Sequence, residues 1–220
     1  MSHNVVIDKI EKSNVMEDHY SKSVDPWGNR ETQTYQKVLK EACIRTFKFL
    51  KDKNPKDTYV YYDIGSGGGN VLDTVLENKP KDINLELYGC DISESAYKYL
   101  NENYHFSGFD VIDLEDYNSN DDNQFLHNLN KADLITIVDV MYYFDAKRGY
   151  RTTLDELWNT FKKGAVILVA DSLIPFQRRS YFKTKSDCVT LDEFTDYTQP
   201  VSTFNGNKNR YLKIKIYQKV

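Results

Sequence analysis

Cysteine is scarce in this chain: Cys43, Cys90 and Cys188 are the only three, widely spaced and without a C-x-x-C pair. That usage argues against a disulfide framework and suits a reducing cytoplasm. Long apolar runs are missing too. No segment approaches the ~18 residues of a membrane-spanning helix, and MSHNVVIDKIEKSN has neither an apolar core nor a cleavage-like site. There is no positive surplus either, since 29 Lys and Arg stand against 33 Asp and Glu, a net charge of −4. We therefore expect neither nucleic acid nor membrane as a partner. His19, His105 and His127 are isolated, with no metal-ligand spacing, so no metal is expected. At 220 residues the chain is long enough for one substantial core, and we read one domain over 1–220. Oligomeric state is not legible.

What is present is a strand and helix rhythm. Between Gln33 and Lys51 apolar residues recur at Tyr35, Val38, Leu39, Ala42, Cys43, Phe47 and Leu50, a helical stripe. Strand-like runs follow at TYVYYDI (58–64), NLELYGC (84–90), FDVI (109–112), ADLITIV (132–138) and AVILVAD (165–171). Helical patterns near 70–78, 93–103 and 147–162 separate them, which predicts α/β architecture: a mostly parallel sheet, right-handed crossovers and helices on both faces. The polar stretch NSNDDNQ (118–124) reads as a solvated loop. Near the end, VSTF, Asn205-Gly206 and the alternating RYLKIKIYQ read as a hairpin, so the last strand should run antiparallel to its neighbour. The expected whole is a seven-stranded Rossmann-like sheet over 58–220, preceded by a lid and helix over 1–52.

Four glycines fall within 65–69, in the stretch YVYYDIGSGGGNVLDTV. A glycine turn opening a helix presents backbone N–H groups to an anion. Two usual occupants fit badly. No lysine stands between Tyr59 and Glu77, which removes the P-loop, and Asn70 stands where a dinucleotide fingerprint needs its third glycine. Asp63 at the mouth of the turn repels a pyrophosphate and suits a positively charged ligand.

Acids also end the next three strands: Asp91, Asp113 and Asp139. Open α/β sheets bind ligands beyond the carboxyl ends of their strands. Asp91 stands where an acid accepts from both ribose hydroxyls of an adenosine, and Asp113 could accept from the adenine amino group. An adenosine with a cationic tail satisfies all of these positions, and S-adenosylmethionine (SAM) is such a molecule.

DIGSGGG, Asp91, Asp113 and the terminal hairpin together resemble the class I SAM-dependent methyltransferases. DPWG (25–28) and VDVMYYF (138–144) are similar to NodS-type small-molecule methyltransferases, with Asp139 where those carry a glutamate. The resemblance implies a SAM site lined by Tyr20, Trp27, Asp63, Gly65, Ser66, Gly67, Gly69, Asp91, Ile92, Asp113, Leu114 and Asp139, with S-adenosylhomocysteine (SAH) as product. Asp139, Tyr142 and Tyr143 leave the fourth strand where a small acceptor would sit, as candidate catalytic residues. The two tyrosines fit aromatic packing of the following helix equally well. Tyr20, Asp25 and Trp27 could form a lid or simply a docked arm. Arg178, Arg179 and Tyr181 follow the fifth strand, and paired arginines favour an anionic or sugar-related acceptor if they are more than a solvated turn. The chemistry expected is methyl transfer to an oxygen or nitrogen of a small polar metabolite. The alternatives are an NAD(P)-dependent oxidoreductase on a related sheet, which the glycine spacing and the hairpin oppose, and a SAM-binding regulator without turnover.

Overall fold

A computed structural model describes residues 9–116, 124–144, 149–171, 180–195 and 212–220, the side chains of 9–13 and of Tyr142 excepted. The helices are α1 (Lys9–Lys22), α2 (Gln33–Lys53), α3 (Asn70–Asn78), α4 (Glu94–Asn103), α5 (Gln124–Leu129) and α6 (Tyr150–Thr160). The strands are β1 (Thr58–Ile64), β2 (Asn84–Asp91), β3 (Gly108–Val111), β4 (Leu134–Val138), β5 (Val166–Asp171), β6 (Cys188–Thr195) and β7 (Lys213–Lys219).

They form one seven-stranded sheet in the order β3-β2-β1-β4-β5-β7-β6. Strands β1 to β5 pair in parallel, while β7 runs antiparallel to both β5 and β6. The Rossmann-like α/β architecture and the reversed last strand are as the sequence predicts. The neighbour of β7 needs a correction. Its outer partner is β6, which the sequence reading missed, whereas VSTF and Asn205-Gly206 lie outside the described residues. A register shift between Thr190 and Asp192 inserts Leu191 into CVTLDEFT. Such a bulge breaks the alternation by which a half-buried strand is recognised. The loop expected at 118–124 also lies mostly outside the described residues, and α5 begins at Gln124.

Burial explains the central strands. In β1, Tyr59 and Tyr61 point into one apolar cluster with α2 and α3, while Tyr62 and Ile64 enter another with α5 and α6. The tyrosine hydroxyls inside these layers find partners: Tyr59 donates to the Asn54 carbonyl (2.8 Å) and Tyr62 to Asp110 (3.1 Å). Helix α2 forms on its apolar stripe, every member of which is buried, and it stops before Pro55. Ser93 caps α4 by accepting from the Ala96 N–H (3.1 Å).

The strand order reverses between β1 and β4. Crevices for ligands open at such a point, beyond the carboxyl ends of the strands. There β1 delivers Asp63 and the glycine turn, β2 delivers Asp91, and β4 delivers Asp139.

Candidate active site

The glycine turn is tied to β2 on both sides. The N–H groups of Gly65 and Ser66 donate to the Cys90 carbonyl (2.9 and 3.0 Å), and that of Gly67 donates to Asp91 Oδ2 (2.8 Å). Asp91 Oδ1 accepts from the Ser93 N–H (2.9 Å). Burial raises the Asp91 carboxyl above its ordinary pKa, and the Ser93 and Gly67 bonds oppose that rise. Gly67 adopts φ +50°, a left-handed conformation that costs other residues energy.

The amino-terminal arm lies on this turn. A Cβ on Gly67 would strike the Tyr20 hydroxyl, and one on Gly68 would strike the Val24 carbonyl. Tyr20 packs edge-on against Trp27 (5.6 Å between centroids), and His19 lies against the same indole (5.7 Å). Burial, then the charges of Asp91, Tyr143, Asp25 and Asp63, push the Tyr20 phenol well above the usual range. Asp25-Pro26-Trp27-Gly28 is a tight turn, with the Gly28 N–H on the Asp25 carbonyl (3.1 Å). The Asp25 carboxylate accepts from the Asn29 and Arg30 N–H groups (3.0 and 2.8 Å), which makes it a shaping residue of the arm.

Two attachments that sequence spacing did not reveal hold the arm down. Glu17 of α1 accepts from the Ser93 hydroxyl (2.8 Å), the Ser95 N–H (3.1 Å) and the Ser95 hydroxyl at the start of α4. Arg30 donates to Asp73 of α3 and to the Gly68 carbonyl, while Tyr104 donates to the same Asp73. Partners 43 and 76 residues apart share no local pattern, so only the folded chain joins them.

Asp63 is buried at 1% exposure. Its Oδ1 accepts from the Thr136 hydroxyl (2.5 Å), whereas Oδ2 has no hydrogen-bond partner. Burial lifts its pKa to about 6 despite the bond from Thr136. Asp139 follows β4 with φ +55°, a left-handed residue that is not glycine. Tyr35 of α2 donates to its Oδ2 (3.0 Å). Val140 fills the space beside Gly65, where a Cβ would collide with it.

The remaining candidates divide. Ile92 and Asp113 are half-buried, Leu114 is buried in the apolar cluster, and Asp113 Oδ1 accepts from the Glu115 N–H (3.0 Å). Tyr181 is drawn elsewhere: its hydroxyl donates to Asp155 of α6 (2.8 Å) and its ring packs edge-on against Tyr150. Arg178 and Arg179 lie outside the described residues, as does the side chain of Tyr142. Among the described residues no group of His, Cys, Asp and Glu could hold a metal ion, and no helix is long and apolar enough to cross a membrane.

A family model described as a methyltransferase domain matches residues 62–167. That stretch runs from the end of β1 into β5 and includes the glycine turn, Asp91, Asp113 and Asp139. No curated protein sequence matches. Among solved structures, the chain is similar to the N-methyltransferase NodS from Bradyrhizobium japonicum in complex with SAH. The TM-score is 0.64 at 12% identity, covering 94% of this chain and 97% of that one. It is also similar to the plantazolicin methyltransferase BpumL in complex with SAH, at TM-score 0.54 and 17% identity, covering 97% and 98%. A third likeness is to coclaurine N-methyltransferase bound to N-methylheliamine and SAH, at TM-score 0.50 and 11% identity, covering 81% and 71%. At these identities the likeness is one of fold.

The residues present fit an S-adenosyl compound through their carboxylates. The unpartnered Asp63 Oδ2 suits an ammonium group, and the Asp91 carboxylate, fixed by the Gly67 and Ser93 N–H groups, suits the ribose hydroxyls.

Proposed function

We propose that this methyltransferase uses SAM to methylate an oxygen or nitrogen of a small polar metabolite, anionic or sugar-related, as a member of the NodS-like group. The observation that carries the reading is Asp91. Its carboxylate joins the glycine turn to the end of β2 while lying beneath Tyr20, the arrangement expected of an acid that accepts from ribose hydroxyls. The DPWG turn of the arm and the fold likeness to NodS support the subgroup. A cytoplasmic location suits the three free thiols.

When bound, SAM supplies an already activated methyl carbon. The acceptor's lone pair would take that carbon while the carbon–sulfur electron pair stays on sulfur to give SAH, and any proton displaced from the acceptor would pass to solvent water. The protein's part is therefore alignment and exclusion of water. Tyr20 and Trp27 cover the turn. In this reading Asp139, with Tyr142 and Tyr143, borders the acceptor, Arg178 and Arg179 would recognise its anionic group, and Tyr181, held by Asp155, takes no direct part.

Incubation with SAM and a panel of small amines, sugars and phosphorylated metabolites should release SAH with at least one acceptor. Asp91→Ala should weaken SAH binding by roughly tenfold or more, the scale of one or two charge-assisted bonds. Unchanged affinity in calorimetry sinks the cofactor assignment.

A further inference from the structure

The sequence reading gave Tyr35 no role beyond its place on the apolar stripe of α2. The structure gives it a second one. Its ring is packed in the core at 2% exposure, yet its hydroxyl reaches the carboxylate of Asp139, a residue 104 positions away at the end of a different element. We infer that Tyr35 is a positioning residue, which holds the Asp139 carboxylate to receive the ammonium end of the bound S-adenosyl compound. The assignment rests on the cofactor reading above.

Three observations carry it. Asp139 adopts φ +55°, a backbone conformation that costs a residue with a side chain roughly 1–2 kcal/mol and persists only when its surroundings enforce it. The enforcing contacts are visible. Its N–H donates to the Ala170 carbonyl on β5 (2.9 Å), and Tyr35 Oη donates to its Oδ2 (3.0 Å) from the α2 side. The backbone is thus fixed by the sheet and the carboxylate by the helix.

The second observation is location. Ile137 of β4 pairs with Ile64 of β1, directly before the glycine turn, and Val140 abuts Gly65. Asp139 therefore stands beside the turn at the reversal of strand order. Asp63, with its unpartnered oxygen, ends the neighbouring strand. Two carboxylates on adjacent strand ends make a receptor for a cationic group.

The third is cost. A phenylalanine would fill the core position equally well, whereas a buried hydroxyl beside a carboxylate must be hydrogen-bonded to be tolerated. Burial, and after it Asp139, push the Tyr35 phenol far above its usual range, so it stays a protonated donor at any physiological pH. A permanent donor on one carboxylate oxygen fixes the rotamer in which the carboxylate meets a ligand.

The test compares two ligands that differ in the amino-acid end. SAH carries the ammonium and carboxylate, and 5′-methylthioadenosine lacks both. In calorimetric titrations Tyr35→Phe should weaken SAH by about tenfold, the scale of one charge-assisted bond, and leave 5′-methylthioadenosine unchanged. In an Asp139→Ala background the same substitution should no longer affect SAH. If Tyr35→Phe leaves SAH affinity intact while the unaltered protein binds it, the assignment falls alone. If both ligands weaken in step, or the melting temperature collapses, the hydroxyl is only a structural pin and the assignment falls. Persistence of the full effect in Asp139→Ala also overturns it. Failure of the unaltered protein to bind either ligand overturns the cofactor reading, and this assignment with it.

Discussion

Asp63→Asn should make the ligand-free protein more stable at pH 7.5 and a poorer binder of SAM and SAH. Its carboxyl is 1% exposed, shares one bond through Oδ1 with Thr136, and leaves Oδ2 bare, so the charged form is held against a desolvation cost. Burial therefore raises its pKa to about 6 from the ordinary 3.8. A folded-state value above the unfolded one means that the native protein prefers the proton. The penalty is absent below the unfolded value, grows as pH rises toward about 6, and is complete above it. Two pH units at about 1.4 kcal/mol each make that penalty roughly 3 kcal/mol. The asparagine amide has its own unmet polar atoms, which cost about 1–3 kcal/mol, so the net gain at pH 7.5 is about 1 kcal/mol. For a chain of this size that is a rise of roughly 2–4 °C in melting temperature. At pH 4 the gain should disappear, because the aspartate is then neutral too. Binding should move the opposite way, with SAH affinity falling in the variant, and falling in the unaltered protein as pH drops through about 6. Thermal melts at the two pH values and calorimetry with SAH test both halves. A variant that melts lower at pH 7.5 by the same amount as at pH 4, or that binds SAH normally, refutes the reasoning.

Arg30→Gln removes the ion pair with Asp73 and the bond to the Gly68 carbonyl. Limited proteolysis should then cut faster between Lys22 and Arg30 without ligand, with SAH restoring protection; equal cleavage in both proteins means that the Glu17 attachment alone holds the arm. Asp133 accepts from Lys56 (2.7 Å), Lys162 (2.6 Å) and the Val60 N–H (3.0 Å), bonds that outweigh its burial and lower its pKa. Asp133→Asn should cost about 3 kcal/mol at pH 7 in denaturant unfolding. A depressed folded-state pKa means that this difference is present above the unfolded value and fades as pH falls below it, so an equal loss at pH 3 would contradict the account.

The sequence made the centre of the sheet legible because interior parallel strands leave a dense signal. LITIV, VILVAD and TYVYYDI are apolar on both faces, and their buried patterns follow directly. Their terminal acids were legible for a related reason: a carboxylate that closes an apolar run is costly unless it has work to do, so Asp63, Asp91 and Asp139 stood out. The edges were less readable. Strand β6 is half-buried and bulged, and α5 has six residues, too few to display a helical period.

The site's outer half escaped for a different reason, and Tyr35 and Arg30 show it from opposite sides. Tyr35 is hidden by doing what the pattern predicts. Its ring satisfies the apolar stripe of α2, so nothing in the spacing marks the hydroxyl that crosses to Asp139. Arg30 is hidden by lying in a turn with no period at all, and its meaning comes from Asp73 and Gly68, brought under it only when α3 follows the glycine turn. Local periodicity reports which face of an element is buried. It cannot report which polar atom at the end of a side chain meets a partner from another element. Residues whose chemistry is carried by the backbone turn they occupy, such as Gly67, can be found from sequence. Those whose chemistry is carried by one atom at a tertiary contact need the fold.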